Sequence, residues 1–284
     1  MKTFTNSGNI DSYDLVHISG NKDNYTVTEN NGELTYVSND LDKTYIISSV
    51  EEFGFKYTNG AGTNFKWEEE FEEFNAIPNF KKALFNSNTD IISAVHSSSV
   101  DLNTDNWAIS IFLNVDNITQ QDYTGILTKS VDDYVANDWG LEVYEQKFRF
   151  CYTVNDTQTN IYADDLAPKG QDTHLMMVCV NKTMTMFING IAQSSVLSYS
   201  SSVSNSIRID IGNRNGYGKL RGSISDIQMY KNVVITNSDV LDIMNGKLKD
   251  GLTAHWDFEG ANPLDDKSTN SNTLTMSGTT IVDN

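Results

Sequence analysis

Apolar and polar positions alternate with a period of two along most of this chain. Residues 206–212 (SIRIDIG) set Ile207, Ile209 and Ile211 on one face, which is the pattern of a half-buried strand. Residues 106–115 (NWAISIFLNV), 140–154 (GLEVYEQKFRFCYTV, with a turn near Glu145) and 222–230 (GSISDIQMY) predict further strands. Residues 174–195 predict three strands, two of them joined at Asn189-Gly190, a strong two-residue hairpin signal. Nearer the start, residues 24–38 form two runs around Asn30-Asn31-Gly32, and residues 43–50 and 53–58 add two more. Only two stretches read as helix. In residues 66–74, Trp67, Phe71 and Phe74 share one helical face; residues 238–247 run from a Ser238 cap to a Gly246 stop. Strands at this density predict a sandwich or barrel, and the lack of helix–strand alternation excludes a doubly wound fold.

Pro78 marks a boundary, because the residue before a proline is pushed out of helix. The chain therefore divides into a small β-rich domain, residues 1–80, and a larger one, residues 83–284.

Composition narrows the partners. The 284 residues carry 38 acids against 20 bases, a net charge of −18, so phosphate backbones and anionic lipids are repelled. No run approaches the roughly 20 apolar residues of a membrane helix. The start, MKTFTNSGNIDSYD, has no apolar stretch after Lys2 and reads as lacking a secretory leader. Cys151 and Cys179 both fall in strands and are expected as buried free thiols; a bridge between neighbouring strands is the alternative.

Catalytic patterns are missing from the sequence. Glycoside hydrolysis needs two carboxylates facing each other across the sugar, yet Glu142 and Glu145 are three apart, and the glutamates of residues 68–73 lie in the expected helix. His17, His96, His174 and His255 are scattered, and residues 212–218 (GNRNGYG) lack the Lys-Ser/Thr of a phosphate loop. The chain is expected not to be an enzyme.

From residue 83 onward, segments recur in a familiar order. ALFNSNTDIISAVHSSSVDLNTDNWAISIFLNV, GILTKS with GLEVYEQKFRFCY, THLMMVCV with MTMFINGIAQ, and IRIDIGNRNGYGKLRGSISDIQMYKNVVITNSDVLDIM resemble the LamG-like jelly rolls of the concanavalin A-like lectin/glucanase superfamily. GLTAHWDFEGANPLDDKSTNSNTLTMSG resembles the strand pair that usually begins such domains. Here it lies at the C-terminus, where residues 251–284 are expected to complete the same sandwich. The resemblance implies an all-β, concanavalin A-like jelly-roll sandwich behind a small β-rich N-terminal domain. The paired-carboxylate strand of the laminarinase-like branch is not found.

Jelly-roll lectins hold sugars with an aromatic ring, Asn and Asp side chains, and often calcium. The loop at residues 130–140 (SVDDYVANDWG) offers Tyr134, Asn137 and Trp139 as ligand contacts, and Asp132, Asp133 and Asp138 as calcium ligands. Tyr217, in residues 213–219, is a further contact candidate, and Asp265-Asp266 a second hard-oxygen cluster. Against this stands the plainer reading, in which acidic loops are merely solvated and Trp139 starts a buried strand. Trp107 and Trp256 are expected in the core.

Such domains are common on tailed-phage capsids and fibres. The resemblance therefore implies a non-enzymatic virion structural protein. Residues 1–80 would dock on other virion proteins as part of a homo-oligomer, a trimer being favoured. The jelly roll would be displayed on the virion surface toward cell-surface glycans. A bacterial surface or secreted carbohydrate-binding module is the alternative, and a divergent glycan-active enzyme the third reading.

Overall fold

The computed structural model describes residues 80–130, 137–154, 157–198, 204–214 and 217–283, and before residue 66 the backbone of six strands. The chain divides into two compact units, Met1–Ala76 and Ile77–Asn284.

In the first unit, β1 (Lys2–Thr5), β2 (Tyr25–Asn30), β3 (Glu33–Ser38) and β4 (Thr44–Ser48) form one sheet in the order β1-β4-β3-β2. β5 (Lys56–Thr58) and β6 (Thr63–Phe65) pair separately. β2 and β3 pair antiparallel, Asn30 opposite Glu33; the Asn31-Gly32 turn expected between them lies outside the described residues. The helix expected over residues 66–74, and Pro78, lie outside the described residues.

The second unit is a sandwich. Its strands are β7 (Lys82–Phe85), β8 (Ile91–Ala94), β9 (Trp107–Val115), β10 (Thr124–Lys129), β11 (Trp139–Tyr144), β12 (Lys147–Val154), β13 (Thr157–Tyr162), β14 (Asp172–Val180), β15 (Thr183–Ile188), β16 (Ile191–Ser198), β17 (Ile209–Ile211), β18 (Gly222–Lys231), β19 (Leu252–Trp256), β20 (Leu274–Ser277) and β21 (Thr280–Val282). A seven-stranded sheet runs β13-β12-β11-β10-β17-β8-β20; an eight-stranded sheet runs β16-β15-β14-β9-β18-β7-β21, with β19 paired to β18. The C-terminal strands thus enter both layers, β20 beside β8 and β21 beside β7.

Alternation decides what lies between the sheets. Trp107, Ile109, Ile111, Leu113 and Val115 of β9 face Trp139, Leu141 and Val143 of β11 and Phe148, Phe150 and Tyr152 of β12 across one core. Trp107 and Phe150 meet with ring centroids 5.6 Å apart. Each fully buried side chain of this size contributes roughly 1.5–3 kcal/mol. The outer face of the eight-stranded sheet carries a second cluster. There α1 (Asn237–Met244) lays Val240 and Ile243 on Ala108, Met176, Val178 and Tyr230. On the same face His174 is completely buried, Nε2 lying 2.8 Å from Ser110 Oγ, and burial drags its pKa down to about 3.

Among the described residues, three tight hairpins have positive φ at both central residues, Glu145-Gln146, Asn181-Lys182 and Asn189-Gly190, the geometry of turns that match strand twist. The helix differs from expectation at its start. Thr236, not Ser238, is the N-cap; its hydroxyl accepts from Asp239 N–H while the Asp239 carboxylate accepts from Thr236 N–H. Asn245 closes the other end, one residue before Gly246. Ile207 lies outside β17, which is three residues long. Both cysteines are buried free thiols, as expected, and burial pushes the Cys151 thiol up to about 12.

Candidate binding site

The outward face of the seven-stranded sheet carries charge where a strand interior usually carries none. Trp139, Leu141 and Val143 of β11 point inward, so Gly140, Glu142 and Tyr144 point outward. On β12 the same alternation turns Arg149 outward. The register places Glu142 directly opposite Arg149, and Arg149 opposite Tyr162 of β13.

A loop brings in the second arginine. Gly125 N–H donates to the Gly218 carbonyl at 3.1 Å, and Gly212 N–H to the Ile126 carbonyl at 2.8 Å. The approach is so close that a Cβ on Gly125 would stand 2.3 Å from the Asn213 carbonyl oxygen. This seats residues 212–214 and 217–220 against β10 and delivers Arg214 and Tyr217 to the same face. A third segment is tied down by Gln146, whose Nε2 donates to the Gln120 carbonyl at 2.7 Å. Glu145 N–H donates to Asp122 Oδ1 at 2.9 Å, and Tyr123 comes to rest beside Tyr144.

The floor is therefore a carboxylate between two guanidiniums. Glu142 is fully buried; its Oε1 accepts from Arg149 Nε at 2.5 Å and from Arg149 Nη2, and its Oε2 from Arg214 Nη1 at 3.2 Å. Burial opposes the Arg149 charge. The charge of Glu142 and hydrogen bonds to Tyr162 and Glu142 outweigh it and hold the pKa above its ordinary value.

Four half-buried tyrosines cover this floor. The Arg149 guanidinium carbon lies 4.3 Å from the Tyr144 ring centroid, 5.2 Å from that of Tyr123 and 6.0 Å from that of Tyr162. Arg214 lies 4.2 Å from Tyr217 and 5.1 Å from Tyr123. Cation–π contacts of this kind fix ring orientation as well as adding attraction. A hydrogen bond with Tyr123 and the nearby charges raise the Tyr144 hydroxyl to about 12. Aromatic faces beside hydroxyls and exposed carboxylates are suited to polyhydroxylated ligands with apolar faces.

Of the residues expected from sequence to bind, Tyr217 is on this platform. Trp139 is not: it is fully buried in the core between the sheets, because it shares the inward face with Leu141 and Val143. Asn137 is half-buried with φ of 68°, and its carbonyl accepts from Asn205 Nδ2 at 2.8 Å. Tyr134, Asp132 and Asp133 lie outside the described residues.

Asp138 is fully buried, Oδ2 accepting from Ser130 Oγ at 2.9 Å and Oδ1 from Asn205 Nδ2 at 3.1 Å. The cation of this corner is Lys129. Its Nζ donates to Asp101 Oδ1 at 2.6 Å and to the Asn205 carbonyl and Oδ1 at 2.8 and 2.7 Å. Asp266 likewise spends its oxygens locally, on His255, Ser268 and Asn272. Among the described residues no three His, Cys, Asp or Glu side chains form a metal group.

A jelly roll of two antiparallel sheets is a lectin-like fold. The laminin G family model, described as the concanavalin A-like lectin/glucanases superfamily, matches residues 86–240, and the chain belongs to that superfamily. No curated protein matches it. Among solved structures it is similar to a candidate carbohydrate binding protein from Bacteroides ovatus ATCC 8483. Identity there is 13%, over 88% of this chain and 68% of that one, with a TM-score of 0.56. A native heptameric SAP-like pentraxin from Limulus polyphemus is 13% identical over 73% of this chain and 97% of that one, TM-score 0.49. Domain 4 of AbnA, a GH43 extracellular arabinanase from Geobacillus stearothermophilus in complex with arabinotriose, is 15% identical over 60% and 91%, TM-score 0.45.

Proposed function

We propose that this chain is a non-enzymatic glycan-binding protein whose contact surface is the platform of Tyr123, Tyr144, Tyr162 and Tyr217 over Arg149 and Arg214. The observation that carries the reading is the construction of that surface. Four ring systems from four separate segments are held in place by two buried guanidiniums and one carboxylate. An arrangement fixed this firmly before any ligand arrives spares the ordering cost of binding. Glu142 is engaged by Arg149 and Arg214, whereas glycosidic cleavage needs a pair of carboxylates facing the sugar. The test is a glycan array read with the full chain and with the Tyr144→Ala variant. Signal on the native chain that the variant loses supports the reading; an array with no signal, or one unchanged by the variant, removes it.

The setting we propose is a tailed-phage virion, as a capsid decoration, head fibre or tail-associated protein. The division into Met1–Ala76 and Ile77–Asn284 supports it, the superfamily match lying wholly in the second unit. The first unit would attach to other virion proteins and the second would be displayed, in trimers. Individually weak contacts then gain strength from copy number. Mass spectrometry of purified particles decides: stoichiometric abundance supports display on a virion, while presence only in cells or medium favours a bacterial surface or secreted module.

A further inference from the structure

The four tyrosines form a row, Tyr162–Tyr144–Tyr123–Tyr217. Successive ring centroids are 6.3, 4.8 and 5.7 Å apart, about the advance from one sugar to the next along a glycan. The row crosses β13 and β11 and then two loop segments, so it lies athwart the sheet rather than in a pit. Neighbouring rings are tilted by 52, 50 and 59°. The ring faces are therefore not coplanar and do not offer a flat ribbon one continuous stacking surface.

Charge sharpens the choice. Both guanidiniums are taken up by Glu142, with Arg149 and Arg214 almost fully buried. At the rim, next to Tyr144, stand the exposed carboxylates of Asp122 and Glu145, in a chain of net charge −18. Those acids accept hydrogen bonds from hydroxyls and repel a ligand carboxylate or sulfate.

We propose that the row binds an internal stretch of a neutral, linear, twisted glycan, one sugar per ring over about four sugars, rather than a single terminal sugar, an acidic polysaccharide or a flat crystalline surface. This rests on the glycan-binding reading above and specifies its ligand.

The experiment uses the full chain. Soluble neutral polysaccharides (glucans, mannans, xylans, arabinans, galactans), their uronate-bearing counterparts and microcrystalline cellulose are screened first. Fragments of one to six sugars from the polymer bound are then titrated by calorimetry. The expected result is neutral soluble polymers preferred over acidic ones and over cellulose. Affinity should rise by roughly two- to tenfold per added sugar, as expected for one aromatic contact each, and level off near four. Tyr162→Ala and Tyr217→Ala, at the two ends, should bring the plateau down by one sugar. A monosaccharide binding as tightly as the longest fragment, or preference for the acidic polymer or for cellulose, overturns the proposal while leaving glycan binding standing. Failure of every glycan to bind overturns both.

Discussion

Glu142 and Arg149 are cross-strand partners on β11 and β12, both buried, on a sheet face where their strand neighbours are Gly140, Tyr144 and Cys151. Arg214 arrives from a loop more than sixty positions along the chain and completes the group. One anion thus satisfies two cations that desolvation would otherwise make costly.

Removing that anion should be severe. Glu142→Leu leaves two guanidiniums buried without their carboxylate, and breaking such a group costs about 3–5 kcal/mol. Urea denaturation followed by tryptophan fluorescence should show a lower midpoint at an unchanged slope. A loss under about 1 kcal/mol would mean the arginines find water as good a partner.

Two aromatic residues near one another in sequence should behave oppositely. Tyr144→Ala should weaken glycan binding by roughly two- to tenfold and leave the fold largely intact. Trp139→Ala should cost about 3–5 kcal/mol of stability, as large core truncations do. If Trp139→Ala folded normally and lost binding alone, the assignment of inward and outward faces on β11 would be wrong.

Acid should unfold this protein partly through His174. Its pKa is about 3 when folded against an ordinary 6.5, so between those values the unfolded chain binds a proton that the native state refuses. Stability therefore falls as pH drops from 6.5 toward 3, by roughly 5 kcal/mol in full at about 1.4 kcal/mol per pKa unit. His174→Gln keeps a polar partner for Ser110 and cannot titrate. Its stability between pH 6.5 and 4 should be flatter than that of the native chain; parallel curves would place the acid sensitivity elsewhere.

Gly125 is the seat of the arginine loop. Gly125→Ala drives a methyl group into the Asn213 carbonyl and should displace Asn213, removing Arg214 and Tyr217 from the platform. Glycan affinity should drop at least as far as in Tyr217→Ala. Retained affinity would show that β10 gives way instead.

Lys129 does by covalent means what a bound cation does in many loops. The melting temperature should be indifferent to chelator, and Lys129→Met should lower it, because Asp101 would remain buried with its ammonium gone. A fall in melting temperature on adding EDTA to the native chain would establish a metal in this corner after all.

The sandwich was legible because strand alternation and hairpin chemistry are local. Asn189-Gly190 and the turn at Glu145 could be read from a few residues each. The helix cap was missed because Ser238 and Thr236 are both capping types, and only Asp239 in the right place distinguishes them. The platform was harder. Tyr123, Tyr144, Arg149, Tyr162 and Arg214 come from different hairpins and loops, and long-range pairing cannot be seen from spacing. One clue was available: in GLEVYEQKFRF, Glu142 and Arg149 interrupt otherwise apolar strands, on the face opposite Leu141 and Phe150. The same period-two rule would have placed Trp139 in the core, where proximity to acidic loop residues had suggested a ligand contact.

The closing strands carry a different consequence. β7 opens the jelly roll and β21 ends it, and they lie side by side, Lys82 across from Val282. The way in and the way out share one edge. A domain built like this is a cartridge: it can be let into an exposed loop of an unrelated host protein without prising that loop apart. Because the platform sits on the opposite layer from that edge, grafting it elsewhere would leave the tyrosine face clear.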